Sequence, residues 1–299
     1  MDTKYTLKKL MEILGKNQFA LLLRIILDRI PVIIFGKDHN EIDNFLNGLI
    51  SMAPHRHEYV FWSDFIENDE YLSLIQEEDN DFNIPRNVFC APTNASKHIF
   101  NRIEKFRGWI IGFEISNGIS QEGVISNFKN FEERFLIIIM EQNELKLTLF
   151  GVDNNINLDF EKKIIDKAIQ KTEIALEKMK RVLKKKIKTP PSNDVMTAIM
   201  RFDIEEEKIR SNIFIQEIQT FIQAGMRSLA ILSRIDLLRE LGFDVELSGN
   251  TLLETIDFEE VNPDRIIQLV QAEYGVDFSS CIKGGKIIQV GDRIDGFWG

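Results

Sequence analysis

The sequence contains little cysteine and little proline. Of its 299 residues, two are cysteines and seven are prolines. Cys90 and Cys281 are too few and too far apart for a disulfide-stapled fold, which favours free buried thiols in a reducing compartment. We therefore expect a cytoplasmic protein whose core is large enough to need no covalent staple.

The sequence also lacks a long uninterrupted apolar segment. Its most apolar stretch, residues 19–35, is broken by three charged residues and a proline. A membrane-spanning helix needs about 20 mainly apolar residues, so this stretch predicts core elements instead. The first residues, MDTKYTLKKLMEILGKN, have neither the apolar stretch nor the cleavage site of a signal peptide.

The sequence has 37 basic and 47 acidic residues, which gives a formal net charge of −10. This balance disfavours a dedicated nucleic-acid-binding protein, because phosphate binding needs positive charge. The length predicts two domains.

The first half of the chain alternates apolar runs with amphipathic stretches. The runs typical of buried strands are residues 32–35, 59–62, 87–91, 109–115 and 135–140. Because helical patterns lie between them, we expect an α/β domain over residues 1–157, with a mostly parallel sheet and flanking helices. Its last two strands, on either side of residues 141–144, are expected to form an antiparallel hairpin.

A long basic helix is predicted next, in the segment 158–193. Residues 161–188 have apolar positions spaced by three and four and contain eleven basic but only four acidic residues. Two consecutive prolines end this pattern and predict a hinge. We place a domain boundary at residues 189–194.

Residues 194–299 predict a mainly helical domain with small β-hairpins. The stretch 204–242 has helical spacing throughout, and Gly225 is expected to divide it or to kink it. Residues 243–247 and 251–256 resemble the two strands of one hairpin. A second hairpin is expected around the Lys-Gly-Gly-Lys sequence that begins at residue 283.

The strand-to-helix junction at residues 32–50 is the candidate nucleotide site. A glycine between a strand and a helix is typical of phosphate sites, because the exposed N–H groups of the helix point at the anion. Here Gly36 and Lys37 are the candidate binding residues. However, neither GxxxxGK[ST] nor GxGxxG occurs in the sequence, and Asp38 or Asn40 is expected to cap the helix instead. We predict no cofactor.

Two histidines, His55 and His57, are candidate metal ligands. In an extended segment they point to the same side, which suits two-ligand coordination. A third ligand would have to come from His39, His98 or an acid, none of which lies at a recognised spacing, so we expect no metal. No GxSxG motif occurs and Cys90 lies in an apolar run, so no catalytic residue is predicted either.

The end of the basic helix is the candidate partner-binding surface. Its residues are Lys178, Lys180, Arg181, Lys184, Lys185, Lys186 and Lys188. Cations at a helix C-terminus also complement the helix dipole, so a simple solvated end is one reading. The other readings are a docking site for an acidic partner or for the acidic residues 64–81 of the same chain, and a contact with membrane or nucleic acid. The stretch lacks aromatic residues, which disfavours the last two.

Residues 19–65 have a helix–strand–helix–strand pattern. An apolar helix (ALLLRIILDR) precedes a short strand (VIIF), a helix that ends at Pro54, a basic and aromatic turn (HRHEY) and another strand. This local pattern resembles the core of a DENN domain of the longin–DENN type. The resemblance implies a role with small GTPases, as an exchange factor or as part of a complex, and leaves the rest of the chain unplaced.

We therefore expect a non-catalytic intracellular interaction or regulatory protein that binds an acidic protein surface and is connected with small GTPases or complex assembly. The first alternative is a nucleotide-binding protein or degenerate P-loop-like NTPase that uses Gly36 and Lys37. The second is a nucleic-acid-associated protein that uses the basic helix.

Overall fold

The computed structural model describes residues 5–61, 67–82, 84–100, 107–115, 120–131, 133–141, 144–151, 156–186 and 193–283. The chain forms two compact units, Met1–Thr220 and Phe221–Gly299. The predicted boundary at residues 189–194 falls largely on residues 187–192, which lie outside this description, so the division into 1–157, 158–193 and 194–299 stays a prediction.

The first unit contains a six-stranded sheet. Its strands are β1 (Val32–Gly36), β2 (His57–Val60), β3 (Asn87–Ala91), β4 (Ile110–Glu114), β5 (Phe135–Glu141) and β6 (Glu144–Phe150). Their order is β2-β3-β4-β1-β5-β6, and every neighbouring pair is parallel except β5 and β6. The predicted α/β fold, the mostly parallel sheet and the final antiparallel hairpin are confirmed.

Helices precede, separate and follow the strands of this sheet. They are α1 (Leu7–Leu27), α2 (His39–Ile50), α3 (Asn68–Asn80), α4 (Ser96–Phe100), α5 (Gln121–Phe131), α6 (Asp159–Lys186) and α7 (Asn193–Glu240). The predicted long basic helix is α6. None of the described helices is long and apolar enough to cross a membrane.

The crossover from β1 to β2 runs in the opposite direction to the crossovers that lead from β2 through β3 and β4 to β5. Because such crossovers are right-handed, α2 lies on one face of the sheet, and α3, α4 and α5 lie on the other. The face with three helices contains an aromatic core, where the Trp109 ring centroid lies 5.2 Å from that of Phe89 and 5.3 Å from that of Tyr71. β1 is buried at every residue, which explains its continuous apolar sequence.

The second unit packs the end of α7 with two short helices, α8 (Gly249–Thr255) and α9 (Pro263–Tyr274). The predicted hairpin over residues 243–256 is wrong. The segment forms α8, because the Ser248 hydroxyl caps this helix by accepting a hydrogen bond from the Thr251 N–H at 3.1 Å. The only two strands described in this unit, β7 (Leu247–Ser248) and β8 (Ile282–Lys283), pair in parallel, and the rest of the second predicted hairpin lies outside the described residues.

Helix α7 is continuous through Gly225, so this glycine does not divide it. A Cβ atom at Gly225 would lie 2.8 Å from the Leu269 side chain of α9. The glycine therefore serves the close approach of α9, and its conformational freedom is not used.

Candidate nucleotide site and basic docking surface

The β1–α2 junction lies where ligands bind in many open α/β sheets. Neighbouring strands β1 and β4 lead to crossovers on opposite faces, which makes their carboxyl ends a topological switch point. Gly36 is the buried last residue of β1, Lys37 is exposed, and only Lys37 and Asp38 separate β1 from α2. The structure thus brings the predicted pair to the expected place, but in a connection much shorter than an eight-residue phosphate-binding motif.

The N-terminus of α2 already holds an anion of its own. Asp38 Oδ1 accepts hydrogen bonds from the backbone N–H groups of Asn40 and Glu41 at 2.8 and 3.2 Å. These N–H groups are the ones that would otherwise donate to a phosphate. The Glu41 carboxylate adds a second negative charge in the same turn and accepts a hydrogen bond from the Tyr5 hydroxyl at 3.1 Å. Both carboxylates repel phosphate electrostatically.

The side chain of Ile42 fills the space beside this junction. A Cβ atom at Gly36 would lie 2.8 Å from Ile42 Cγ1, and one at Gly112 of β4 would lie 2.7 Å from Ile42 Cγ2. Asp43 fixes the same turn of α2, because its two carboxylate oxygens accept from the Thr93 N–H and hydroxyl at 3.0 and 3.2 Å. Helix α2 therefore rests directly on β1 and β4 at the switch point.

The two candidate metal ligands flank a residue with a different role. His55 is half-buried and His57 is an exposed first residue of β2, but Arg56 between them is buried. Its guanidinium donates to the backbone oxygens of Ile26 and Leu27 at 2.7 and 3.1 Å, which satisfies carbonyls of the last turn of α1. In the described part of the chain, no three His, Cys, Asp or Glu side chains are grouped so that they could hold a metal ion.

The acidic segment forms α3, and several of its charges have internal partners. Glu78 is buried and lies 2.9 Å from the buried guanidinium of Arg29. The other Glu78 oxygen accepts from the Asn87 N–H, and Asp79 pairs with Arg107 at 2.8 Å. Sequence reasoning treated these acids as solvated or as a docking surface and missed this buried pair, which joins the end of α1 to α3.

The candidate basic surface lies at the end of α6. Among the residues of this helix whose side chains the structure describes, Leu176 is the last that is buried. Beyond it, Lys178 and Arg181 are exposed, and Arg181 pairs with Glu177 at 3.3 Å. Lys180, Lys184, Lys185 and Lys186 follow on the same helix, whereas Lys188 lies outside the described residues.

Basic residues are concentrated at the end of α6. The helix continues for ten residues past Leu176, which is about 15 Å. The six basic residues listed above all lie in that segment. We call residues 177–186 the basic segment.

Both cysteines are free and buried. Burial raises the pKa of the Cys90 thiol well above its ordinary value, and it also raises the pKa of Cys281. Since the thiolate is the reactive form, neither thiol is suited to nucleophilic chemistry.

No protein-family model matches the chain, and no curated protein matches it. Its function is therefore inferred from its own residues.

Proposed function

We propose that this chain is a non-catalytic, cytoplasmic regulatory protein that binds an acidic surface of another protein through the basic segment. The observation that carries this proposal is the continuation of α6 past Leu176, its last described buried residue, into a segment with six cations. Positive charge presented on a helix accelerates association with an acidic partner and fixes its orientation.

The β1–α2 junction supports a non-catalytic role. Asp38 takes the hydrogen bonds that a phosphate would need, and Ile42 fills the adjoining space on β1 and β4. A sheet of this kind then serves as a rigid scaffold that holds α1 and α6, without a bound substrate.

Charge reversal of the basic segment tests the proposal. The variant Lys184→Glu/Lys185→Glu/Lys186→Glu should lose capture of the partner from native cytosol, with an almost unchanged melting temperature. A matched control, Lys97→Glu/Lys163→Glu/Lys208→Glu, changes the net charge equally at exposed, scattered positions and should retain capture. Equal capture by all three proteins would contradict the proposal.

The resemblance to the DENN core makes a small GTPase our proposed partner. Purified small GTPases from the source organism, loaded with GDP or GTP or freed of nucleotide, provide the direct test by calorimetric titration. We expect one of them to bind the wild type and the scattered control but not the triple reversal. If none binds while capture of another protein persists, the basic-segment proposal stands and the GTPase assignment fails.

A nucleotide-binding protein is the second candidate, because Gly36 and Lys37 lie at the switch point. Calorimetric titration with ATP and GTP, with and without magnesium, decides this candidate. Micromolar binding that Lys37→Ala abolishes would establish a nucleotide site and overturn the non-catalytic proposal. Nuclease treatment before capture addresses the remaining alternative, since contacts through nucleic acid would disappear and would depend steeply on salt.

A further inference from the structure

The C-terminal end of α7 exposes a cluster of large apolar side chains. The exposed fractions are 55% for Leu237, 40% for Leu238, 66% for Leu241 and 59% for Phe243. We call these four residues the α7 patch. Scattered exposed leucines are ordinary on protein surfaces, but a contiguous group marks an interaction site.

The patch arises because α7 uses its other face for packing inside the second unit. Leu229, Leu232 and Ile235 are buried there. Gly242 then ends the helix with φ +88°, and the Phe243 N–H donates to the Leu238 oxygen at 3.1 Å. This turn keeps Phe243 beside the exposed leucines, so the patch is a fixed feature of the helix end.

The area of the patch suits a twofold contact between two copies of the chain. A large apolar side chain carries on the order of 150–200 Å² of surface, so the four exposed fractions together correspond to roughly 400 Å². Self-association places the patch on both sides of one interface, which doubles this apolar area to roughly 800 Å². With a polar rim, this reaches the 1,200–2,000 Å² that specific interfaces bury.

Charges around the patch are arranged for an antiparallel contact. Arg227 and Arg234 are exposed on the N-terminal side of the patch. Glu240, Asp244 and Glu246 are exposed at its C-terminal side. In a twofold antiparallel pair, the basic side of each patch meets the acidic side of the other patch, so this contact occurs twice.

We propose that the α7 patch is a self-association surface, on which a second copy of this chain docks antiparallel about a twofold axis. The leucines and Phe243 form the buried centre of the contact, and the arginine and acidic groups form its complementary rim. Such a dimer presents two basic segments at once, whatever partner they bind.

Sedimentation velocity on the full chain tests the dimer. We expect the wild type to shift from monomer to dimer between about 0.1 and 100 μM, with a Kd in a range ordinary for a small interface. Leu237→Asp/Leu241→Asp should raise the Kd at least tenfold, because charged groups would enter the centre of the contact. The matched control, Leu72→Asp/Ile174→Asp, changes side chains with 53% and 55% exposure outside the patch and should leave the Kd unchanged.

A charge exchange tests the antiparallel geometry. Arg227→Glu/Arg234→Glu should weaken the dimer, and so should Glu240→Lys/Asp244→Lys/Glu246→Lys. A chain that carries all five reversals should dimerise with itself like the wild type, because each basic side again meets an acidic side. It should not pair with the wild type, because an antiparallel pair of the two sets like charges against each other. A reversed chain that prefers the wild type to itself would overturn the antiparallel arrangement, since only a parallel pair brings their opposite charges together.

Other occupants of the patch give different outcomes, and each overturns the proposal. A wild type that stays monomeric at 100 μM, while a chain truncated after Lys283 dimerises, assigns the patch to the chain's own C-terminal residues. A chain that stays monomeric in both forms leaves the patch to a different protein. A dimer that persists in Leu237→Asp/Leu241→Asp has its interface elsewhere.

Discussion

Substitution of Gly112 probes how closely α2 rests on the sheet. In Gly112→Ala, the added Cβ atom would lie 2.7 Å from Ile42 Cγ2, and Ile42 is fully buried. Neither element can move away freely. Gly112 is paired with Ile34 of β1 in the sheet, and hydrogen bonds from Thr93 to Asp43 fix α2. Overpacking of this kind costs about 1–3 kcal/mol, so we expect the free energy of unfolding to fall by that amount.

A double-mutant cycle shows whether Ile42 is the cause. Ile42→Ala alone should cost about 2–5 kcal/mol, since it leaves a cavity under α2. Gly112→Ala should cost much less in the Ile42→Ala background, with a coupling of about 1–2 kcal/mol, because the new methyl group then occupies vacated space. The control Ile42→Val retains both γ carbons and should give no such relief.

Urea unfolding, followed by circular dichroism and by tryptophan fluorescence, measures these free energies. The buried ring of Trp109 reports on the sheet of the first unit. If Gly112→Ala lowers the free energy of unfolding equally with alanine and with isoleucine at position 42, contact with Ile42 is not the cause of the loss. In that case the Ile42 side chain does not close the switch point.

Three further predictions concern backbone strain, pH and thiol reactivity. Gly15 interrupts α1 with φ 67° and ψ 166°, a conformation open essentially to glycine alone, so Gly15→Ala should lower the free energy of unfolding by about 1–3 kcal/mol in urea titrations. Burial and the hydrogen bond to Glu41 raise the pKa of Tyr5 from 10.0 to about 12. The neutral hydroxyl therefore stabilises the folded state fully below pH 10, and this stabilisation is lost as pH rises toward 12. In urea titrations, the free energy of unfolding of Tyr5→Phe should fall less steeply than that of the wild type over this interval. Cys90 and Cys281 should react with a thiol reagent at pH 8 only upon unfolding, and rapid labelling of either in the native protein would contradict their burial.

The main strands were predictable because their signals are local and strong. β1 is an apolar run that is buried throughout, and β5 is one that is buried over its first four residues. Such runs differ clearly from the amphipathic helices around them. The alternation of the two element types then indicated a parallel sheet. The strand order was not predictable in this way, since it depends on pairings between distant residues.

The errors came from segments in which short-range patterns are ambiguous. The run TLLETI was interpreted as one strand of a hairpin, although its residues do not alternate, and Ser248 caps it as α8. Serine is a preferred N-cap residue, and this was the available signal. Gly225 was interpreted as a helix breaker, whereas its actual role depends on Leu269, which lies 44 positions away.

Charged residues at the candidate site were the hardest to interpret from sequence. Arg56 was considered as part of a basic turn, yet it satisfies the carbonyl groups at the end of α1. The histidines on either side of it were weighed as metal ligands and set aside, and nothing local indicated that Arg56 is buried. Asp38, by contrast, was expected to cap α2 and does so, because N-capping depends only on the next three residues.

The central position of β1 has a consequence for synthesis on the ribosome. Val32 pairs with Ile110 on one side and with Leu136 on the other, so neither neighbour exists when β1 first emerges. At translation rates of about 5–20 residues per second, the strand waits roughly 5–20 s before β5 is complete. During that time an apolar strand with two open edges is vulnerable to aggregation. Slow codons before residue 110 should therefore lower the yield of folded protein, and a chaperone that binds short apolar strands should restore it.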